Sequence, residues 1–131
     1  MTTWTDVINY VRTRYEVLEE TDDGWLRFRL ETEGGRSQQV ALHHLEEPDA
    51  AKLIEISSPV GWADKIDVHR LLELAAGAVV GGAAVVDGVA LLKHTAPLAD
   101  LSIREEFERP LLRLVGYADE FERELTKGDE F

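Results

Sequence analysis

Residues 74–92, LAAGAVVGGAAVVDGVALL, form the most apolar segment of this chain and include glycines 77, 81, 82 and 88. A membrane-spanning helix needs about 20 consecutive apolar residues. An aspartate near the bilayer centre costs about 3 kcal/mol on insertion scales. Because Asp87 lies inside the segment, we exclude a transmembrane span.

The glycines of this segment do not form a nucleotide-binding motif. Their spacing differs from the G-x-G-x-x-G pattern that dinucleotide-binding turns require. Gly77 and Gly82 have the spacing of the outer glycines of a P-loop, but Ala83 and Ala84 stand where Lys and Ser or Thr are needed. A predicted helix also precedes these glycines rather than following them, so we expect no phosphate site.

The pattern that remains predicts a β-hairpin. Asp87 and Gly88 separate two apolar runs, and Asp-Gly tolerates the positive φ that both central positions of a type I′ turn require. A two-residue turn fixes the opposing pairs, which alternate between the two faces of the sheet. These pairs are Val86–Val89, Val85–Ala90, Ala84–Leu91 and Ala83–Leu92. Both faces of the hairpin are therefore apolar, and both need cover.

The first half of the chain predicts one helix and three strands. Apolar residues recur at helical spacing from Trp4 to Leu18, which predicts a helix over residues 4–19 with Thr3 as its cap. Apolar and polar residues then alternate around Phe28, around Val40 and over 52–58 (KLIEISS). The stretches TEGGR and EEPDA predict the turns between these strands, and PVGW at 59–62 predicts a turn or loop.

Two further helices are predicted. A short helix begins at Val68 behind an Asp67 cap and ends before Gly77. A long amphipathic helix begins near Ile103, where Ser102 and Glu105 resemble a capping box. Pro110 either kinks this helix or starts its second part. Its charged residues, such as Asp119 and Arg123, are interpreted as i,i+4 pairs on a solvated face.

These elements predict a single α+β domain over residues 1–131, with helices packed on an antiparallel five-stranded sheet. Helices on one face leave the other face of the hairpin bare, so either a second subunit or the third helix, wrapped around the sheet edge, must cover it. We favour a second subunit, because Gly81, Gly82, Ala83 and Ala84 would let it approach closely. The predicted dimer interface consists of Val80, Gly82, Ala84, Val86, Val89 and Leu91.

Composition excludes several classes of site. The chain has no cysteine, so a disulfide framework, a thiolate metal site and a cysteine nucleophile are absent. Its net charge of −12 opposes binding to nucleic acid and to anionic lipid. The stretch MTTWTDVINYVRTR lacks the basic leader, apolar core and small-residue cleavage site of a secretory signal, so we expect a cytoplasmic protein.

No catalytic or metal-binding constellation emerges. His43 and His44 are adjacent on a predicted strand, so they point to opposite faces and cannot share one ion. Ser57 and Ser58 lack the G-x-S-x-G turn of a nucleophile elbow. We therefore expect neither an enzyme nor a cofactor.

Two tryptophans are the candidate partner-binding residues. Trp25 and Trp62 both flank predicted turns, where a large aromatic side chain either covers the sheet edge or meets a ligand. A pocket near Trp62 and His69 is the basis of a further alternative, in which the chain is an enzyme or binds a small molecule.

Three segments carry a family resemblance: IEISSPVG (54–61), VVGGAAVVDGVALLKHTAPLADL (79–101) and YADEFERELTKGDEF (117–131). With the predicted element order they resemble the type III secretion chaperone fold and the YbjN-type family of bacterial regulators, in its actinobacterial branch of peptide-binding chaperone-like domains. The resemblance implies an acidic homodimer that binds an extended segment of a partner protein without a cofactor. The alternative is a regulatory or structural domain that associates with itself or with a folded protein.

Overall fold

Residues 3–46, 52–97 and 103–126 are described by the computed structural model of this chain. They form an α+β fold in which three α-helices pack on one antiparallel six-stranded sheet, with strand order β1-β2-β3-β4-β6-β5. In chain order the elements are α1 (Trp4–Arg14), β1 (Glu16–Glu20), β2 (Trp25–Glu31), β3 (Ser37–Glu46), β4 (Lys52–Trp62), α2 (Val68–Ala75), β5 (Gly82–Val86), β6 (Val89–Pro97) and α3 (Arg109–Thr126). A 3₁₀ turn (Glu33–Gly35) follows β2, and a π-helical turn (Arg104–Glu108) leads into α3.

The start of α1 confirms the predicted cap. Thr3 Oγ1 accepts a hydrogen bond from the Asp6 backbone N–H, and the Asp6 carboxylate accepts one from the Thr3 N–H. Both hydrogen bonds lower the pKa of Asp6, and the bond to the Thr3 backbone N–H has the larger effect. The helix therefore begins at a capping box, in which two otherwise unpaired donors are satisfied reciprocally.

The end of α1 differs from the prediction. Glu16–Glu20, predicted to be helical, forms β1, so the expected count of five strands is wrong. Tyr15 is already extended, and its ring stacks on Phe28 with 5.3 Å between ring centroids. Val17 lies opposite Phe28 on the neighbouring strand. Burial of these side chains against the sheet outweighs a helical preference of a few tenths of a kcal/mol per residue.

The predicted three-strand meander is confirmed in β2, β3 and β4. Phe28 lies opposite Val40, and Leu42 lies opposite Ile56. The predicted turn or loop at 59–62 is instead the end of β4, with a bulge between Pro59 and Gly61. The bulge fits a proline into an interior strand, because Pro59 cannot donate to the ladder.

The hairpin has the predicted register. Val86 lies opposite Val89, and Ala84 lies opposite Leu91. Asp87 and Gly88 have φ of 50° and 80°, the positive values that a type I′ turn needs at both positions. The strand β6 then pairs with β4, which places the hairpin at one edge of the sheet.

The two later helices also begin largely as predicted. The Asp67 side chain accepts from the Arg70 N–H and caps α2, although Gly77 after it does not adopt the positive φ typical of a helix-ending glycine. Pro110 lies in the first turn of α3, directly after the π-helical turn. The wider turn accommodates the proline ring, which would otherwise meet the carbonyl four residues earlier. Ser102 lies outside the described residues.

One predicted pair on the third helix is replaced by a buried cluster. Asp119 and Glu122 are almost fully buried, and both bond Arg36, whose Nε lies 2.9 Å from Asp119 Oδ1 and whose Nη2 lies 3.3 Å from Glu122 Oε1. The prediction that Asp119 pairs with Arg123 on a solvated face is therefore wrong. The amphipathic pattern gave no sign of a cation approaching from another element. The cluster joins the end of the β2–β3 connection to α3.

All three helices pack on one face of the sheet, here called the inner face. Strand residues that point inward, such as Leu26, Phe28 and Ile56, share one buried core with Val11 of α1 and Leu114 of α3. Side chains on the opposite face, here called the outer face, are half-buried or exposed. No helix of the described ranges covers the outer face.

Candidate functional site

A groove of about 400 Å³ crosses the outer face from β2 to the β5–β6 hairpin. It is built by strand alternation, which turns every second side chain outward. We call it the outer groove. Its outward-facing lining consists of Trp25 and Arg27 of β2, Gln39 and Ala41 of β3, Ser57 and Pro59 of β4, and Val86, Val89 and Leu91 of the hairpin. Asp87 lies at the end formed by the hairpin turn.

The hairpin end of the outer groove is apolar. Leu91 lies opposite Pro59 on one side and Ala84 on the other, so three apolar side chains stand in a row across the strands. Val86 and Val89 form the next row, and the Val86 side chain is 48% exposed. Contiguous exposed apolar surface of this kind marks binding sites more often than it marks ordinary protein surface.

Both candidate tryptophans lie on the outer face, but they have different surroundings. Trp25 lines the outer groove and stacks on the His43 ring, with 4.0 Å between centroids and an interplanar angle of 6°. The stacked pair is a flat, rigid aromatic wall. Trp62 lies opposite Val89, is 43% exposed and stands beyond the groove lining. The structure therefore places one of the two predicted residues in the groove and the other beside it.

Of the predicted interface residues, all but Val80 lie on the outer face. Gly82, Ala84 and Val86 share the outer face with Val89 and Leu91, because β5 and β6 are in register. Val80 is half-buried and precedes β5, so it is not part of this row.

The small residues before and within β5 do not all serve a partner. A Cβ atom at Gly81 would lie 2.6 Å from Leu114 Cδ1 of α3, and Ala83 packs on the core. A Cβ at Gly82, in contrast, would have no neighbour within 4 Å. The expectation that Gly81 and Ala83 make room for a partner is thus wrong. They make room for the chain's own helix and core.

The two edges of the sheet differ in character. The strand β1 carries Glu16, Glu19 and Glu20, and its pairing with β2 is irregular between Val17 and Glu19. Charges and bulges are devices that protect an edge strand from pairing with another chain. The strand β5 has the sequence GAAVV, without a charge, and it pairs regularly with β6. No strand of the described residues pairs with the outer edge of β5, so this edge is open to strand addition.

Exposed apolar side chains also gather beside this open edge. Val85 on β5, Leu72 on α2 and Val79 between the two elements are all exposed, and the Val79 side chain is 76% exposed. The helix α2 contacts β5. The β5 edge is consequently flanked by apolar surface on its inner side as well as at the outer groove.

His43, His44, Ser57 and Ser58 make stacking and backbone contacts within the sheet and with α1. As predicted, His43 and His44 face opposite sides of the sheet, and His44 stacks on Trp4 with 5.2 Å between centroids. Burial lowers the pKa of His94. Ser57 and Ser58 donate hydrogen bonds to the backbone carbonyls of β3. None of these contacts forms a nucleophile and base pair.

Within the described ranges the chain shows neither a metal-binding cluster nor a membrane-spanning helix. There, no three His, Asp or Glu side chains are placed to hold one ion. No helix in that part of the chain combines the length and apolarity needed to cross a bilayer. The pocket suggested near Trp62 and His69 is not the outer groove, which includes neither residue.

Several groove residues were not singled out from the sequence. Arg27, Gln39 and Ser57 turn outward beside Trp25, and Pro59 joins them because β4 continues past its predicted end. Strand alternation alone would have placed Arg27 on the same face as Trp25. Predicting the whole groove requires the order of the strands in the sheet, and no local sequence pattern reveals that order.

Comparison of the chain with protein-family models, with curated proteins and with solved structures found no match in any of the three.

Proposed function

We propose that this chain is a non-enzymatic, chaperone-like protein-binding domain whose outer groove holds an extended segment of a partner protein. The observation that carries the proposal is an apolar groove on the sheet face opposite the helices. One face of this antiparallel sheet packs on the core, whereas the hairpin end of the other face presents Leu91, Val89 and Val86.

The dimensions of the groove suit a short segment of chain. From β2 to β5 the sheet contains four strand spacings, which amount to about 19 Å. An extended segment of about six residues covers that distance. The Trp25–His43 stack at one end and the hairpin valines at the other provide apolar contacts for such a segment. A rigid aromatic contact of this type loses little side-chain entropy on binding.

The resemblance to type III secretion chaperones and YbjN-type proteins supports the same proposal. The order of the helices and of the later strands is the order predicted from the sequence, on which the resemblance partly rests, and the chain is acidic. The strand β1 is a departure, since the expected architecture had five strands. The proposed binding role depends on the outer face and does not require β1.

Peptide display followed by methyl NMR tests the proposal. Peptides enriched by panning on the full chain should shift the methyl signals of Val86, Val89 and Leu91. The methyl signals of Leu72 and Leu112, which are exposed on α2 and α3, serve as internal controls and should not move. Absence of enriched peptides, or shifts confined to the helices, would contradict the proposal.

A variant pair then tests the role of the aromatic wall. Trp25→Ala should weaken an enriched peptide at least about tenfold, since buried tryptophan contacts often dominate binding energy. Leu112→Ala removes an exposed apolar side chain from α3 and should leave the affinity unchanged. Equal affinities for the two variants would place the peptide elsewhere.

The second candidate function is self-association, and the open edge of β5 favours it. Two copies of β5 can pair antiparallel about a two-fold axis, because the strand has no charge to oppose its own copy. Such a dimer would also cover Val85 and Val79 from both copies. The two candidates are compatible, since the β5 edge and the outer groove are different surfaces.

A further inference from the structure

Two arginines stand on the outer face of β2 without a partner. Arg27 and Arg29 are two residues apart, so strand alternation turns both outward, and Arg27 lines the outer groove. Within the described ranges neither side chain forms an ion pair or a hydrogen bond. The Nε atom of Arg29 is buried and still has no acceptor.

The chain has 26 acidic residues against 14 basic ones, yet Arg27 and Arg29 have no acidic partner among the described residues. On the same outer face Lys93 is paired, with its Nζ 3.2 Å from Glu55 Oε2. A buried donor without an acceptor destabilises the folded state. This cost applies to Arg29, whereas Arg27 is exposed and lines the outer groove, where an incoming anion can pair with it.

Neighbouring carboxylates do not satisfy these groups. Glu19 is opposite Arg27 on β1, and Glu16 is opposite Arg29. Neither glutamate forms an ion pair with its arginine. Both glutamates lie on the far side of β2 from the groove. Among the described residues that line the groove, Arg27 is the one cationic side chain and Asp87 is the one acidic side chain.

The position of Arg27 relative to Leu91 sets a spacing. Between them lie three strand spacings across the sheet and two residues along it, a diagonal of about 16 Å. An extended chain covers that distance in about five residues. The side chains of Gln39 and Ser57 lie between the two ends and offer polar groups to the backbone of such a chain.

We propose that the outer groove selects a protein segment in which an acidic residue lies about five positions from an apolar one. The carboxylate bonds the Arg27 guanidinium, and the apolar side chain packs on Leu91 and Pro59. Arginine suits this role because its planar donors match both oxygens of a carboxylate. The inference rests on the proposed binding role and adds the chemistry of the bound segment.

Three fluorescein-labelled peptides test this selectivity by fluorescence anisotropy on the full chain. They are about twelve residues long, to overhang the groove, and carry leucine at one position and Glu, Gln or Lys five positions away. The Glu peptide should bind about tenfold more tightly than the Gln peptide, as expected for a charge-assisted hydrogen bond. The Lys peptide should bind most weakly.

Matched variants identify the receiving group. Arg27→Gln should make the Glu and Gln peptides bind equally, because the group that distinguishes them is removed. Arg113→Gln makes the same charge change at an exposed position on α3 and should preserve the preference. Circular dichroism of both variants checks that the fold is retained.

The possible failures are distinguishable. If the three peptides bind equally, or if Arg27→Gln retains the preference, the acidic selectivity is wrong and the binding role stands. The same holds if none of the three binds while a display-selected peptide still does. If no peptide of any kind binds, both proposals are wrong. Displacement of the Glu peptide by millimolar inorganic phosphate would indicate a general anion site and would also overturn the selectivity.

Discussion

At the scale of single residues, adjacent glycines have different roles. Gly81 has φ of 89°, and a Cβ there would lie 2.6 Å from Leu114 Cδ1 and 3.1 Å from the Lys93 carbonyl oxygen. Gly82 has an ordinary φ and open space. We expect Gly81→Ala to lower the free energy of unfolding by about 2–4 kcal/mol, through backbone strain and overpacking.

Gly82→Ala is the matched control for this residue. It should change the free energy of unfolding by less than about 1 kcal/mol, in the stabilising direction, because alanine restricts the unfolded chain. Urea denaturation of both variants measures the difference. Equal destabilisation by the two substitutions would contradict the close approach of Gly81 to α3.

At the scale of the elements, we predict that the chain self-associates through the free edge of β5. The residues that flank a two-residue hairpin turn exchange hydrogen bonds, so Val86 and Ala84 donate to β6 while Val85 points its N–H away from the sheet. Proline is tolerated at such an outward position. Val85→Pro should therefore abolish a β5-mediated dimer, as measured by sedimentation velocity, and retain the fold.

Ala84→Pro provides the contrast, because it removes a hydrogen bond inside the subunit. We expect it to lower the thermal midpoint clearly more than Val85→Pro does. A Val85→Pro chain that still dimerises would rule out the β5 edge and leave the outer face as the surface for self-association.

The same elements show what local sequence could predict. The hairpin register, the Thr3 and Asp67 caps and the alternation around Phe28 depend on neighbours in sequence, and the structure confirms them. The strand β1 could not be predicted, because the apolar spacing of Tyr15 and Leu18 also fits a helix and only contact with β2 decides between them. Contacts between distant segments outweigh local preference at such positions.

For the candidate site, too, local sequence predicts some features, and the rest depend on contacts between distant segments. Alternation places Trp25 and Arg27 on one face of β2, and the turn places Val86 opposite Val89. That these two groups meet across a groove depends on the strand order β2-β3-β4-β6-β5, in which the last two strands are reversed relative to the chain. The Arg36 cluster has the same origin, since Arg36 is more than 80 residues away in sequence from both Asp119 and Glu122.

At the scale of the whole molecule, the net charge of −12 opposes self-association even though the β5 edge is uncharged. Two copies repel each other over the Debye length, which falls from about 30 Å at 0.01 M salt to about 10 Å at 0.1 M. A β5-mediated dimer has no ion pair within the strand pair, so salt acts only on this repulsion.

We therefore expect sodium chloride to strengthen the dimer. Between about 0.01 M and 0.3 M salt, the dissociation constant from sedimentation equilibrium should fall about tenfold. The Val85→Pro chain, measured in parallel, should remain monomeric throughout and so excludes nonspecific association. A dimer that weakens as salt rises would instead depend on attractive charge pairs, and Arg27 and Arg29 on the outer face would then be the cations to examine.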